Sequence, residues 1–487
     1  MAEVVYNGSG DIVWKGNPDG SQDVYNIGDL SWVLSSTGNV FIMACGVGFY
    51  YSGLLRRKNA LSALYASLVS VAVVILVWFI WGFSLAFSDS AGVFIGNLKY
   101  AAFTNIYLQP ATESTKIPMS LYALYEMMFA ATTAVIAVGA LAERGRLGPL
   151  PIFIFLWVTI VYCPVACWTW NTHGWGRKLG VLDFAGGIAV HIVAGATSLA
   201  MSLYLGPRLQ STANEPWQMH NISGVILGTV LMWYGWFGFN GGSSLSANLL
   251  AVQALINTNL AAAAGGLAWV LMDYRMHEAW GSVSFCAGVI SGLVTITPGS
   301  GYVSAPAAVL FGFLGGIICN LSTYLKRYGR YDDSLDIFAT HAIGGLLGSL
   351  LTGIFAQSNI YSRAGTGATA KLGWLDGNWK QVPIQLAAST AALVWAFAWT
   401  YSILKLMSRL SFTKMRASRE AQETGLDEHQ MHEAAFNVSD YPTILEVNKH
   451  VVSTVQNMRN APGRVRTIDD LNMAQNAQRP PVGAAGP

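Results

Sequence analysis

Long apolar runs, interrupted at short polar intervals, dominate the chain from about residue 31 to residue 408. A helix needs about 20 apolar residues to cross a hydrocarbon core of ~30 Å. Eleven stretches reach that length, approximately 31–54, 61–87, 119–142, 150–168, 184–206, 222–241, 248–272, 281–297, 304–325, 337–356 and 382–407. The pattern predicts an all-α polytopic membrane protein with eleven transmembrane helices in a 31–408 domain. A polar segment, 1–30, precedes it without the basic region and apolar run of a cleavable signal peptide, so the first span is expected to direct insertion. After residue 408 composition shifts to a polar tail, 409–487. Residues 414–436 read as a short helix, and the last forty lack the apolar periodicity to build a core and are expected to be disordered.

Composition agrees with the pattern. Of 487 residues, 53% are hydrophobic and 11% charged, against a charged share of about 25% in soluble domains; mean hydropathy is +0.41. A net charge of +2 gives no reason to expect a nucleic-acid partner. The cysteines, Cys45, Cys163, Cys167, Cys286 and Cys319, are odd in number and lack metal-ligand spacing, so buried thiols are expected.

Eleven spans put the termini on opposite sides, and basic residues choose which. With the N-terminus outside, the inner connections and tail hold fifteen basic residues: Arg56, Arg57, Lys58, Arg144, Arg146, Arg208, Arg275, Lys326, Arg327, Arg330, Lys405, Arg409, Lys414, Arg416 and Arg419. The outer side holds eight: Lys15, Lys99, Lys116, Arg177, Lys178, Arg363, Lys371 and Lys380. The bias predicts N-out and C-in. Asn7 then begins a glycosylation sequon on the outer side, whereas those at Asn221, Asn320 and Asn437 fall within the membrane or inside.

Spans rich in Gly, Ala, Ser and Thr let helix backbones approach closely. Two of them look alike: "DFAGGIAVH" in the fifth and "DIFATHAIGG" in the tenth each open on an Asp and then carry a His. Five spans apart, they run in opposite directions, as an inverted repeat of two five-span halves requires. His191 and His341 are the histidines within spans, and ionisable groups there usually face a bundle interior or a pathway. Neither has a His, Cys or carboxylate at i+3 or i+4, so no metal site is expected, and no cofactor fingerprint or nucleophile with a base appears. Asp183 and Asp336 read as helix caps. In "MWYGWFGFNGGSSLSANLL" the tryptophans suit an interfacial belt, while the glycine run breaks the helix near its outer end. Further indoles lie in "CWTWNTHGWG", and aromatic faces attract cations by about 0.5–2 kcal/mol each.

The motifs "FYYSGLLRRKNALS", "VGALAERGRLGPL", "CWTWNTHGW", "LDFAGGIAVHI", "GWFGFNGGS", "TPGSGY" and "DDSLDIFATHAIGGLLGSLLTGIF" occur in this order. With them the chain resembles the Amt/Mep/Rh ammonium transporter family, and the fungal permeases within it. The resemblance implies a plasma-membrane homotrimer with one pore per subunit, each built from a five-plus-five inverted repeat and an extra C-terminal span. It implies that Trp170, Ser243 and Asp183 form or support an outer recruitment site, that Phe129 and Phe239 are stacked gate rings, and that His191 and His341 pair along the pore. Glu126 stands where the family more often has Gln. At 1.5 Å per residue, His191 lies ~12 Å beyond Asp183 and His341 ~8 Å beyond Asp336, depths about 10 Å apart in a ~30 Å core.

The implied substrates are ammonium and methylammonium, in a lipid bilayer and without a cofactor. An intact ion in a low-dielectric pore costs on the order of 20 kcal/mol; ammonium, unlike potassium, can shed its proton. NH4+ would be deprotonated and NH3 passed, with or without the proton, beside His191 and His341. The tail segment "GLDEHQMHEAAF" resembles one that meets the pore mouth, and Ser418 and Ser453 are candidate kinase sites. Two alternatives stay open: an ammonium sensor whose signalling exceeds its transport, and a neutral-gas channel for NH3 or CO2.

Overall fold

The computed structural model describes residues 4–15, 21–209, 218–365 and 370–435. The polar N-terminal segment builds a small antiparallel sheet of β1 (Val4–Tyr6), β2 (Ile12–Trp14) and β3 (Asp23–Tyr25), in the order β1-β2-β3. Val4 lies opposite Trp14, and Ile12 opposite Tyr25. The sheet is tied down where the Tyr25 hydroxyl donates to the Leu108 carbonyl. The next residue, Asn26, caps the first helix by accepting from the Asp29 N–H at 3.0 Å.

Ten helices among the described residues are long and apolar enough to cross a membrane. They are α1 (Ile27–Leu54), α2 (Arg57–Phe87), α3 (Met119–Leu141), α4 (Leu150–Leu179), α5 (Gly187–Leu205), α6 (Ile222–Gly241), α7 (Leu249–His277), α9 (Ala305–Gly329), α10 (Phe338–Phe355) and α11 (Gln381–Met407). Between α7 and α9 lies a shorter apolar helix, α8 (Ser282–Ile296). At 1.5 Å per residue α8 spans only ~22 Å, and buried chain from Thr297 to Val303 continues from its end.

Successive helices alternate in direction. At the end nearest the sheet, the N–H of Asn26 donates to the Lys116 carbonyl at 3.0 Å, Phe184 to Pro298 at 3.0 Å and Gln357 to Tyr302 at 2.9 Å. At the tail end, the N–H of Arg146 donates to Met415 and that of Ala417 to Arg144, both at 2.8 Å.

Two helices begin inside the bundle rather than at its surface. The first backbone N–H groups of a helix have no partner in the helix itself, so a buried start needs acceptors from elsewhere. The buried Asp183 carboxylate supplies them before α5: Oδ1 accepts from Gly186 at 2.9 Å and Gly187 at 2.6 Å, and Oδ2 from Ile188 at 2.8 Å and Ala189 at 3.2 Å. Before α10 the acceptor is Asp333, whose Oδ2 takes the Phe338 N–H at 2.7 Å. The capping expected of Asp336 is therefore not found. That residue has a positive φ of 54° and turns its carboxylate to Lys326 at 2.7 Å. Asp333 lies three residues earlier, where a side chain reaches the first free N–H groups.

Close packing unites the two capped helices. A Cβ placed on Gly195 of α5 would lie 2.8 Å from the Cα of Ala342, next to His341 on α10, so glycine permits this approach. Of the cysteines expected to be buried, Cys45 is only partly so.

The tail end is held by buried and half-buried charges. Glu143 accepts from the Arg56 side chain at 2.8 and 3.0 Å, and Asp332 pairs with Arg144 and Arg208, each at 3.0 Å. The tail crosses this surface. In place of one helix over 414–436, it forms Arg419–Thr424 and a wide turn at Asp427–Met431, with Ser418 capping the former by accepting from Ala421 N at 3.1 Å. The Asp427 carboxylate accepts from Leu61 at 2.9 Å and Ser62 at 2.7 Å near the start of α2. Ser453, Asn437 and the last forty residues lie outside the described residues.

Removing one member of a buried ion pair leaves the other uncompensated, at a cost of about 3–5 kcal/mol. Glu143→Ala is expected to lower the thermal midpoint in detergent markedly, and Arg56→Ala added to it to restore part of the loss. A midpoint unchanged by Glu143→Ala would contradict this role for the buried charges at the tail end.

Candidate functional site

At the sheet end a cavity of about 470 Å³ opens between α3, the end of α4 and the loop after α6, lined among others by Glu113, Glu126, Phe129, Trp170, Asp183 and Ser243. Trp170 is the last residue of α4 before its helix breaks at 171–174, and it donates its indole N–H to the main-chain carbonyl of Asp183 at 2.9 Å. Asp183 therefore orients this indole through its carbonyl while its carboxylate caps α5. Across the cavity, Ser243 donates to the Phe239 carbonyl at 2.8 Å. The Tyr125 hydroxyl lies 3.3 Å from Ser243 Oγ and 2.8 Å from the Gly238 carbonyl, clasping the end of α6. Glu113 faces Arg177 at 3.6 Å, and burial pushes its carboxyl above the usual range against the pull of Arg177.

The floor of the cavity leads into a ladder of rings. Trp170 meets Phe129 edge-on with centroids 6.0 Å apart, and Phe129 stacks on Phe239 at 4.1 Å and 15°. The Phe239 ring lies 6.0 Å from that of His191, which lies 5.3 Å from His341. The histidine Nδ1 atoms are 3.3 Å apart. The ~10 Å mismatch in depth inferred from the sequence vanishes because α5 and α10 both start within the bundle and α10 is capped from Asp333.

Local helix winding contributes to this meeting. His191 and His341 each sit in a π-helical turn, Gly187–Ile192 and Phe338–Ile343, and Phe239 sits in a third, Phe237–Gly241. Such turns hold an extra residue, rotating the side chains that come after it, and they concentrate at functional sites.

Two residues complete the surroundings of His191. Thr297, just past α8, donates to the Leu293 carbonyl at 2.8 Å and accepts the Trp236 indole N–H at 2.9 Å. Its single proton being used, its oxygen also accepts from His191 Nε2 at 3.3 Å. This network assigns the proton of His191 to Nε2, leaving Nδ1 to accept from His341 Nδ1–H. Trp236 is fully buried and stacks on His191 at 5.4 Å and 24°, so it does not belong to the interfacial belt expected of this segment. Thr297 lies in the "TPGSGY" segment, but its role depends on long-range packing.

Beyond His341 the path narrows. A cavity of about 20 Å³ lies among Val47, Tyr51, Ile136, Trp236, Ile337 and His341. A second, of about 30 Å³, is bordered by Leu55, Val138, Leu141, Leu335 and the tail residue Leu426. Each has room for one or two water-sized molecules, and their walls are mainly apolar. The other residues singled out from sequence stand apart: Asn7 accepts from Ser9 and Asp11 in a turn before β2, and Ser418 is exposed at the tail end.

The profile of the Ammonium Transporter Family matches residues 31–436. Ammonium transporter 1 of Schizosaccharomyces pombe is 44% identical over 416 residues, covering 85% of this chain and 84% of that protein. The crystal structure of Saccharomyces cerevisiae Mep2 aligns with a TM-score of 0.77 and 43% identity, over 81% of this chain and 88% of that one. A solved structure described as a Sensor Amt Protein aligns at a TM-score of 0.74 and 28% identity, over 83% and 98% of the two chains.

Thr297→Val keeps the shape at the ring ladder but removes the acceptor for two buried N–H groups, which costs about 1–3 kcal/mol. The variant is expected to unfold at a lower temperature in detergent than either wild type or Thr297→Ser. Equal midpoints for all three would contradict the network.

Proposed function

Because the chain belongs to the ammonium transporter family, we propose that it carries ammonium across the plasma membrane, with one pore in each subunit of a homotrimer. The observation that carries the proposal is the unbroken ladder Trp170, Phe129, Phe239, His191, His341, which joins a polar cavity to two narrow apolar ones. In this reading α8, completed by the chain to Val303, brings the spans to eleven, and the sheet end faces outward with the tail inside. The excess of basic residues at the tail end supports that orientation. The matching Asp-capped, π-turned starts of α5 and α10 support an inverted five-plus-five repeat.

The mechanism rests on solvation. NH4+ collects beside the Trp170 face and the Ser243 hydroxyl, held by the ring quadrupole and a hydrogen bond. Phe129 and Phe239, 4.1 Å apart, leave no room for a hydrated ion between them. The ring atoms must part, and beyond them lies a dry path where an intact cation costs on the order of 20 kcal/mol. Ammonium escapes that cost by giving up its proton, either to water at the outer cavity or to the hydrogen-bonded His191–His341 pair, and potassium has no such route. Ammonia then passes His191 and His341, whose shared Nδ1 bond offers both a donor and an acceptor line for a proton. Asp183 acts as a positioning residue, setting the Trp170 indole without touching the substrate.

A second reading, an ammonium sensor, draws on the likeness to the Sensor Amt Protein and on the tail segment lying at the narrow end, where Leu426 borders the last cavity. A tail so placed links the path to a cytoplasmic partner, with a kinase acting at Ser418 or Ser453 as one means of moving it. The ladder favours transport over sensing alone, since binding by itself needs no path beyond Phe239. A neutral-gas channel would have no use for the polar cavity and its indole.

Reconstituted wild-type protein is expected to give an ammonium-evoked current or uptake that Trp170→Leu reduces at low ammonium concentration. The double variant His191→Ala/His341→Ala is expected to lose ammonium flux or its preference over potassium. Unchanged flux and selectivity in the double variant would overturn the role of the pair. Truncation after residue 410 is expected to alter transport rate, and a rate equal to wild type would remove the tail from the mechanism.

A further inference from the structure

The cavity at the sheet end contains more charge than recruitment by an indole and a hydroxyl requires. Around it stand Glu113, Lys116, Glu126, Arg177 and Asp183. Asp183 is committed to four backbone N–H groups, and Glu113 to Arg177. Nearby Asp29 accepts from the Ser246 hydroxyl and the Ala247 N–H, both at 2.8 Å. Glu126 is different. It is only 8% exposed, its Oε2 is fully buried, and that oxygen has no hydrogen-bond partner among the described residues. It lies one turn before Phe129 on α3 and borders the cavity together with that ring.

A buried carboxylate oxygen without a partner is costly unless something fills the gap, and burying charge costs more. A partner for this oxygen must donate hydrogen bonds and fit a cavity floored by Phe129, and positive charge on it matches an ionised carboxylate. A small ammonium-type cation has all three properties. We propose that Glu126 forms a second cation subsite immediately above the stacked phenylalanines, accepting N–H bonds from the substrate after it leaves Trp170 and Ser243. The inference rests on the transport reading. It assigns to Glu126 the holding of the cation at the point where it must part with water.

Charge-assisted hydrogen bonds are the strong ones, so their loss reads mainly in apparent affinity. Tyr122 and Tyr125 on α3, Tyr162 on α4, Glu113, Lys116 and Arg177 around the cavity, and Asp183 before α5 are the other ionisable groups near Glu126. Glu113 lines the same cavity and is a second carboxylate that acid neutralises. A lower external pH therefore weakens the subsite, and a Gln in place of Glu126 removes the larger part of that dependence.

The test compares ammonium uptake by wild-type, Glu126→Gln and Glu126→Asp protein in vesicles, with concentration and external pH varied. Glu126→Gln is expected to raise KM by about tenfold or more, with a smaller change in maximal rate and a flatter pH profile; Glu126→Asp keeps the pH dependence. A Glu126→Gln protein with wild-type KM and pH profile overturns the subsite while leaving the transport reading intact. No ammonium uptake by the wild type would instead sink the transport reading beneath it. If Glu126→Gln does not reach the membrane, infrared difference spectra of the wild type decide. A carboxyl band shifted by ammonium and not by potassium is expected, and its absence overturns the proposal.

Discussion

The structure depends on satisfying buried polar backbone at the starts of two helices. Within a bundle that spans a membrane there is no water to accept the free N–H groups of a helix start. Asp183 and Asp333 supply those acceptors, and in consequence α5 and α10 begin deep, pointing in opposite directions. His191 and His341 then meet near the middle, and Gly195 lets the two backbones come close enough for their rings to touch.

The remaining chemistry is arranged around that meeting. Thr297, at the end of the short helix α8, fixes which nitrogen of His191 holds its proton and anchors the Trp236 indole behind it. On one side the ring ladder passes through Phe239 and Phe129 to a polar cavity, and on the other the walls become apolar and narrow. The proposed selectivity uses this change of solvation along the path: polar groups receive the ion, and the dry stretch admits what has shed its charge.

Much of the fold is legible in the sequence because span length and apolar composition are local properties. Ten of the eleven stretches correspond to helices long enough to cross a membrane, with ends within a few residues for most of them. The 281–297 stretch corresponds to the 15-residue α8, whose continuation is buried but not helical. The site is legible in part. The similarity of the fifth and tenth spans singles out His191 and His341, yet their contact depends on where each helix begins. There Asp336 misleads, since Asp333 does the capping and Asp336 turns to Lys326. Trp236 reads as a membrane-interface residue because it lies in an aromatic run near the end of a span, and only packing shows that it is buried and backs His191. The π turns leave no mark in the 3.6-residue pattern, for they add one residue to a helix whose composition is unchanged. The contacts of the tail with Arg144, Arg146 and the start of α2 join residues hundreds of positions apart, beyond the reach of periodicity.

In the proposed mechanism passage requires loss of charge. Purified wild-type protein in liposomes, given equal pulses of ammonium and potassium on a supported membrane, tests it directly. Loss of charge predicts a current or alkaline shift for ammonium and none for potassium at the same concentration. Comparable potassium currents would contradict it, because an ion that cannot lose a proton would then be crossing the path between Phe239 and His341.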